Sequence, residues 1–307
     1  MMMIKSRALA FALVAGLGGL TLPAMADAPS MRIRAGITRA VSEHVHVIPW
    51  EGRMAVPNVG IVTGSRAVLV IDTGLGKASG ETVLGEVRRI AGDRPIYVIA
   101  THCHPEHIGG EQAFPTATVL RPLAQQQEVA ESGDKMIDTF RAASADNRAL
   151  LKDFAFRKPD ILFDGGLTLD LGGVTVDIVR AGPAHTEGDI AMFVREDGVL
   201  FTGDVVQQNY APMLLGAHSS PASWLAQIDM LEKFPARIIV PTHSAVTDRK
   251  AFADMREMVV FLRDDWAKIR AAKLSGQAAQ DRLVADFKAR FPACGNAGFV
   301  GASIPKL

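Results

Sequence analysis

The chain is poor in cysteine and has no excess of charge of either sign. Its 307 residues contain only two cysteines, Cys103 and Cys294, and 33 Lys plus Arg against 33 Asp plus Glu. These two cysteines could form one disulfide. We favour packed, unpaired thiols, because a bond to Cys103 would constrain the histidines on either side of it. A net charge of zero gives no basic surface that would recruit nucleic acid or an anionic membrane. The composition favours a small-molecule partner and leaves the oligomeric state open.

Long apolar segments are also scarce, with one exception at the N-terminus. Lys5 and Arg7 precede an apolar run from Ala8 to Leu22, and Ala24-Met25-Ala26 has small residues where a signal peptidase cuts. This pattern predicts a signal peptide over residues 1–26, with an uncleaved anchor as the less favoured alternative. We therefore expect a periplasmic or secreted protein without stable membrane insertion after cleavage.

Residues 27–307 are predicted to form a single domain. A content of 48% hydrophobic and 21% charged residues is typical of a globular protein, and no linker rich in Pro, Ser or Gly divides the chain. The predicted strands fall into two groups, each followed by helices, which favours an α/β fold with two sheets between helical layers. Strands are predicted at 45–49, 59–63, 67–71, 96–100, 162–163, 167–171, 174–179, 190–194, 199–202 and 238–240, and helices at 78–91, within 122–158, and at 221–234, 248–273 and 278–291.

A cluster of histidines follows the strand predicted at 96–100. In the heptapeptide Thr101-His102-Cys103-His104-Pro105-Glu106-His107, the first two histidines can turn toward one ion if the chain is extended. Glu106 and His107 can then face a second ion beside it. Neutral imidazole and carboxylate are ligands that zinc, iron and manganese accept. Three histidines in six residues predict a metal site on this loop rather than a solvated loop without metal.

The other candidate ligands also follow short apolar strands. His185, Asp204 and His243 each come after a predicted strand of the second group. Functional groups collect at the carboxyl ends of strands in open α/β sheets. Any of these residues alone could be an ordinary packed or exposed side chain. The set includes five of the eight histidines of the chain, and it is the set that predicts a metal centre.

Four motifs together resemble the metallo-β-lactamase superfamily. They are H-x-H-x-[D/E]-H beginning at His102, H-T-x-G-D beginning at His185, T-G-D ending at Asp204 and P-x-H ending at His243. The resemblance spans about residues 45–246 and implies an αβ/βα four-layer sandwich of two mixed β-sheets flanked by helices. It also implies metal cofactors, two Zn2+ ions by preference and Fe or Mn as alternatives. Carried over, the first ion is held by His102, His104 and His185, the second by His107 and His243, and Asp204 bridges the two.

The finer similarities concern the residues around Asp204 and Glu106. The turn Gly203-Asp204 is similar to the glyoxalase II and lactonase branch, whose bridging aspartate true β-lactamases lack. A weaker similarity, from Gly203 to His243, is to quinoprotein-associated zinc metallohydrolases. Where the family usually has an aspartate that binds the second metal, this chain has Glu106. We expect Glu106 to bind metal as well; as alternatives it acts only as a general base through water, or leaves an enzyme with one metal.

The resemblance implies a zinc-dependent hydrolase of an ester, thioester, lactone or amide carbonyl. A bound metal lowers the pKa of water, so metal-bound hydroxide can attack the carbonyl carbon while Glu106 or Asp204 manages its proton. The alternatives are a mononuclear iron persulfide dioxygenase, a β-lactamase and a catalytically degenerate metal-binding protein. Asp72 and Asp189 are expected to support the site rather than bind metal. Three further residues are expected either to line the pocket mouth or simply to pack: Trp50, Tyr210 and His218.

Overall fold

The computed structural model describes residues 30–307, and two β-sheets form the centre of this region. The predicted signal peptide over residues 1–26 lies outside the described residues. The first sheet has seven strands in chain order: β1 (Arg39–Ala40), β2 (Val45–Ile48), β3 (Val59–Thr63), β4 (Val68–Ile71), β5 (Ile96–Ile99), β6 (Thr118–Pro122) and β7 (Ile161–Phe163). The second has five, in the spatial order β12-β11-β10-β9-β8: β8 (Leu167–Asp170), β9 (Thr175–Arg180), β10 (Ile190–Val194), β11 (Val199–Gly203) and β12 (Ile238–Pro241).

Both sheets are mixed. Strands β1 to β4 pair antiparallel, whereas β4 to β7 pair parallel. In the second sheet β8 to β11 pair antiparallel, and β12 runs parallel to β11. Strands β10 and β11 form a hairpin in which Met192 lies opposite Phe201, as the turn sequence Glu196-Asp197-Gly198 predicts.

Seven α-helices occur within residues 30–307. Helix α5 begins where the sequence predicts it, and Ser220 caps it by accepting a hydrogen bond from the backbone N–H of Ser223. Two 3-10 segments lie at Glu111–Ala113 and Ala297–Lys306. The helices are α1 (Gly76–Ala91), α2 (Pro105–Ile108), α3 (Leu123–Ala143), α4 (Ala145–Leu150), α5 (Pro221–Leu231), α6 (Lys250–Ala271) and α7 (Gly276–Arg290).

Three apolar clusters define four layers. Between the sheets, Leu69 of the first and Phe201 of the second belong to one buried cluster. The outer face of the first sheet packs against α1 through Val83. The outer face of the second sheet packs against α5, α6 and α7, with Trp224 and Phe287 at its centre. The order of helix, sheet, sheet and helix confirms the predicted fold class.

The structure corrects the prediction for residues 118–158. The sequence predicts helix from Pro122 onward, whereas Pro122 ends the strand β6, which is not predicted at all. Arg121 interrupts the apolar pattern of that strand, yet it is buried because it forms an ion pair with Glu111. Two helices follow instead of one continuous segment, and the second ends at Leu150.

The two cysteine thiols lie in different parts of the fold and contact different residues. Both are buried and unpaired, as favoured from the sequence. The thiol of Cys103 faces Glu128, and Cys294 Sγ lies 3.5 Å from the sulfur of Met258. Among residues 30–307, the structure has no helix of the length and apolarity that crossing a bilayer requires.

Candidate metal centre

The H-x-H pair lies where β5 has ended and α2 begins. His104 precedes the helix with extended backbone, at φ −67° and ψ 150°, and Pro105 occupies a first-turn position. Proline suits the start of a helix because its fixed φ matches and no N–H is needed there. The sequence predicts a loop here, whereas the structure places Glu106 and His107 on α2. This turn brings both side chains close to His243.

His102, His104 and His185 each bring one ring nitrogen to a common point. The Nδ1 atom of His104 lies 3.0 Å from His102 Nε2 and 3.1 Å from His185 Nε2. His185 donates its Nδ1–H to the carbonyl oxygen of Met213 at 2.8 Å, which leaves Nε2 facing the other two nitrogens. Three imidazole nitrogens at such short separation are the arrangement that a bound cation stabilises.

Glu106, His107 and His243 form a second group. Their candidate donor atoms all lie within 4.8 Å of one another. His107 Nε2 and Glu106 Oε1 are 3.8 Å apart. His243 is held by its backbone N–H, which donates to the side chain of Gln207 at 2.7 Å, and its Nδ1 lies 3.3 Å from the carbonyl oxygen of Val56. In the second group, as in the first, hydrogen bonds to the protein hold a candidate ligand histidine in place.

Asp204 lies between the two groups. Its Oδ2 atom is 3.5 Å from His185 Nε2, and its Oδ1 atom is 3.7 Å from His243 Nε2. The residue follows β11 directly, and Gly203 before it has φ +56°, a conformation that glycine adopts without strain. The hydroxyl of Thr242 donates a hydrogen bond to Oδ1 and holds the carboxylate in place.

The histidines differ in their protonation. Burial lowers the pKa of His102 and His104 well below the usual range, and neighbouring imidazoles lower it further. Burial also lowers the pKa of His243, to about 4, against the charge of Asp204. For His107, burial lowers the pKa, but the nearby Asp72 raises it more, to about 9. Most of these imidazoles are therefore neutral at pH 7, the form that binds metal, whereas a metal at His107 must displace a proton.

The two carboxylates differ as well. Burial raises the pKa of Glu106 to about 7, although the charge of His107 opposes it. Burial also acts to raise the pKa of Asp204, but the surrounding imidazoles, His243 first, lower it to about 2. Asp204 is therefore ionised over the whole neutral range and supplies the negative charge at the centre of the site.

The supporting residues named from the sequence contact the ligand segments. Asp72 accepts hydrogen bonds from His107 Nδ1 at 3.0 Å and from the backbone N–H of Thr101 at 2.8 Å. Asp189 accepts from the backbone and hydroxyl of Thr186, at 2.9 and 2.6 Å, and so fixes the turn after His185. These contacts agree with the expected supporting roles.

Of the residues expected near the pocket mouth, Tyr210 has the clearest position. Its ring stacks on that of His243, with centroids 5.4 Å apart. Burial raises its pKa, so its hydroxyl stays protonated at neutral pH. His218 is exposed and pairs with Glu187, and Trp50 is only partly buried.

Sequence reasoning missed several groups that hold the ligands. They include the carbonyl groups of Val56 and Met213 and the side chains of Gln125, Glu128 and Gln207. Backbone carbonyl groups leave no signal in a sequence, because every residue has one. The three side chains lie outside the recognised motifs, and only their hydrogen bonds in the folded protein mark them.

Comparisons with known proteins bear on the family to which the chain belongs. The model of the metallo-beta-lactamase superfamily matches residues 53–243, which is more than half of the chain. A linear primary-alkylsulfatase from Pseudomonas sp. (strain ATCC 19151) is 25% identical over 244 residues, which cover 66% of this chain and 45% of that protein. The acyl-coenzyme A thioesterase MBLAC2 of Homo sapiens is 28% identical over 162 residues, covering 48% of this chain and 58% of that protein.

The chain thus spans about half the length of these two relatives, which are hydrolases by name. Among solved structures, a metallo-beta-lactamase from Pontibacter korlensis superposes with a TM-score of 0.57 at 21% identity, covering 73% of this chain and 98% of that one. This likeness supports the fold. The match of the family model over residues 53–243 shows that the chain belongs to the metallo-beta-lactamase superfamily.

Proposed function

We propose that the chain is an exported hydrolase that uses two zinc ions to attack the carbonyl carbon of an ester, thioester, lactone or amide and so to cleave its acyl C–O, C–S or C–N bond. One observation supports this most directly: the two oxygens of Asp204 face different donor groups, one toward His185 and one toward His243. A carboxylate in that position can bridge two ions. Within each group, the candidate donor atoms lie within 4.8 Å of one another in the folded chain.

The donor set fits zinc. Each group offers three nitrogen or oxygen atoms, and catalytic zinc takes three protein ligands with one position left for water or substrate. His107 Nε2 and Glu106 Oε2 are buried and have no hydrogen-bond partner among residues 30–307. A buried polar atom without a partner costs about 1–3 kcal/mol, and a bound cation would remove that cost.

When bound, zinc acidifies water and polarises a carbonyl group. The chain's own residues would orient the reactants and move the proton. Asp204 can orient a water molecule that lies between the two groups, since it has one oxygen on each side. If Glu106 acts as a base rather than as a ligand, its unpaired Oε2 can accept the proton of that water and pass it to the leaving group. His107 is restrained by Asp72 and keeps its Nε2 atom directed to the same side as Glu106.

The second donor group separates this proposal from its main alternative. A mononuclear iron dioxygenase needs two histidines and one aspartate, which the first group and Asp204 would provide. Glu106, His107 and His243 would then have no role, although all three are buried and close together. The two donor groups do not by themselves exclude cleavage of a β-lactam or of an alkyl sulfate, so these substrates are distinguished by assay.

The experiment measures metal content and substrate range together. Purified protein is analysed for zinc, iron and manganese and assayed with a thioester, an aryl ester, a lactone, an amide, a β-lactam, an alkyl sulfate and a glutathione persulfide. We expect about two zinc ions per chain and turnover of a carbonyl substrate, both reduced in Asp204→Asn. Asp170→Asn, the same change at an exposed position, is the control and should retain both. One iron per chain with persulfide oxidation, or turnover of the alkyl sulfate alone, would contradict the proposal.

Export is tested separately. The predicted cleavage follows Ala24-Met25-Ala26, so the mature protein should begin at Asp27. Fractionation of cells that express the full chain, with the mass of the recovered protein, checks this. A cytoplasmic protein with an intact N-terminus would contradict export without affecting the proposed chemistry.

A further inference from the structure

Two side chains of α3 contact both segments that carry the first donor group. Gln125 and Glu128 are three residues apart near the start of this helix, so they lie on the same face. One segment runs through the H-x-H pair, and the other follows His185. Neither Gln125 nor Glu128 belongs to a candidate donor group itself.

Gln125 connects the two segments through its amide nitrogen. Its Nε2 atom lies 3.1 Å from the carbonyl oxygen of Ala100, 3.2 Å from that of Thr101 and 3.0 Å from that of Gly188. The side chain is fully buried, and its Oε1 atom has no hydrogen-bond partner among residues 30–307. An apolar side chain of similar size would avoid that unpaired oxygen, so filling space does not by itself account for a glutamine here.

Glu128 makes the same connection one turn later. Its Oε1 atom accepts the backbone N–H of Glu187 at 2.9 Å, and its Oε2 atom accepts that of Gly188, also at 2.9 Å. The thiol of Cys103, which lies between the two histidines of the H-x-H pair, is 3.6 Å from Oε2. Burial raises the pKa of this carboxyl group, and the hydrogen bonds from the backbone N–H groups of Glu187 and Gly188 act against that rise.

Gly188 allows α3 to approach this closely. A Cβ atom at this position would lie 2.6 Å from Gln125 Cγ and 2.6 Å from its backbone nitrogen. No side chain fits between the helix and the segment after His185. The helix is therefore in direct contact with the backbone of one ligand segment and is hydrogen-bonded to the other.

We propose that Gln125 and Glu128 are positioning residues of the metal centre. They hold the H-x-H segment and the His185 segment at the separation at which the three ring nitrogens meet. The inference rests on the proposed metal site but not on the substrate. Loss of a residue that orients metal ligands costs typically about 10- to 100-fold in metal affinity, and we expect a loss of this size at the first donor group.

The test uses two variants and two controls on the same helix. Glu128→Gln and Gln125→Met each remove part of the connection and retain side-chain size, whereas Glu131→Gln and Gln127→Ala change exposed positions. The zinc dissociation constants are measured by chelator competition, the ligand geometry by the absorption spectrum of the cobalt-substituted protein, and the fold by thermal unfolding without metal. We expect weaker binding of one zinc ion and an altered cobalt spectrum in both variants, and neither change in the controls.

Each outcome decides between positioning and simple support of the fold. If either variant folds and keeps the wild-type zinc affinity and cobalt spectrum, with only a lower unfolding temperature, the positioning role is overturned. Tight zinc binding by the wild type without hydrolysis of any carbonyl substrate would overturn the proposed function and leave this inference standing. A wild-type chain that binds no metal would overturn both.

Discussion

The carboxylate of Asp72 accepts a hydrogen bond from Nδ1 of His107 at 3.0 Å, and both side chains are fully buried. The bond keeps a proton on Nδ1, so Nε2 is the nitrogen that a metal can use. The other carboxylate oxygen accepts the backbone N–H of Thr101 at 2.8 Å. Asp72 thus determines both the usable nitrogen of a candidate ligand and the position of the chain before the H-x-H pair.

Asp72→Asn is expected to weaken the second zinc ion about 10- to 100-fold and to affect the first much less. An asparagine cannot accept from both His107 and Thr101 with oxygen atoms, and an amide N–H toward His107 favours a proton on Nε2 instead. Asparagine also tolerates the positive φ of 63° at this position, so the backbone should be retained. Calorimetric titration with zinc measures the affinity for each ion, and the exposed Asp170→Asn is the control. Equal weakening of both ions would contradict the assignment.

Substitutions of Glu106 separate its two candidate roles. Glu106→Gln is expected to lower kcat by about 100-fold or more, because an amide cannot accept a proton. If Glu106 is a ligand, the same variant also loses the second zinc ion, and Glu106→Asp retains more of it than Glu106→Gln. If Glu106 acts only as a base through water, zinc content stays at the wild-type level while kcat falls. Metal analysis beside steady-state kinetics distinguishes these results; an unchanged kcat in Glu106→Gln would exclude the role as a base, and an unchanged zinc content would exclude the role as a ligand.

Two glycines of α1 provide a matched test of how this helix packs against the segment that follows α2, the helix that carries Glu106 and His107. A Cβ at Gly80 would lie 2.1 Å from the carbonyl oxygen of Gly110, whereas a Cβ at Gly85 would meet nothing within 4 Å. We expect Gly80→Ala to lower the free energy of unfolding by about 1–3 kcal/mol, since the helix must move. Gly85→Ala should raise it by about 0.5–1 kcal/mol, because alanine favours the helix. Urea denaturation measures both, and equal effects of the two variants would contradict the packing described.

The C-terminal segment supports the loop that holds His185. Asn296 is buried and binds Ala211 twice, accepting from its N–H at 2.6 Å and donating to its carbonyl oxygen at 3.0 Å. Met213, two residues further along, accepts the Nδ1–H of His185. Asn296→Ala should therefore cost about 2 kcal/mol of stability, since two buried backbone groups lose their partner, and should weaken zinc at the first group. Thermal unfolding and zinc titration check this against the exposed Gln277→Ala; unchanged zinc affinity would show that the loop is held by other contacts.

The candidate ligands could be found in the sequence because each lies beyond the end of a short strand with an apolar pattern. Runs such as Ile96 to Ile99 are apolar throughout, and a histidine or aspartate directly beyond such a run is conspicuous. The strand β6 was not predicted because Arg121 lies within it and Pro122 ends it. The burial of Arg121 depends on its ion pair with Glu111, and the sequence does not indicate that pair before the two segments are folded against each other. Likewise, one turn of helix at Pro105 is too short to show a period, so Glu106 and His107 were expected on a loop.

The sequence by itself determined the kinds of donor, their order along the chain and the two groups of strands, because these follow from residue type and from the period of apolar positions. The tertiary structure decided which atoms meet: that Asp204 has one oxygen toward each donor group, and that His185 and His243 are held by carbonyl groups of Met213 and Val56. The physical reason is that every residue offers the same backbone groups for hydrogen bonding, and that the fit of packed side chains depends on which residues meet in space. These hydrogen bonds and this packing arise only once distant segments share one buried site.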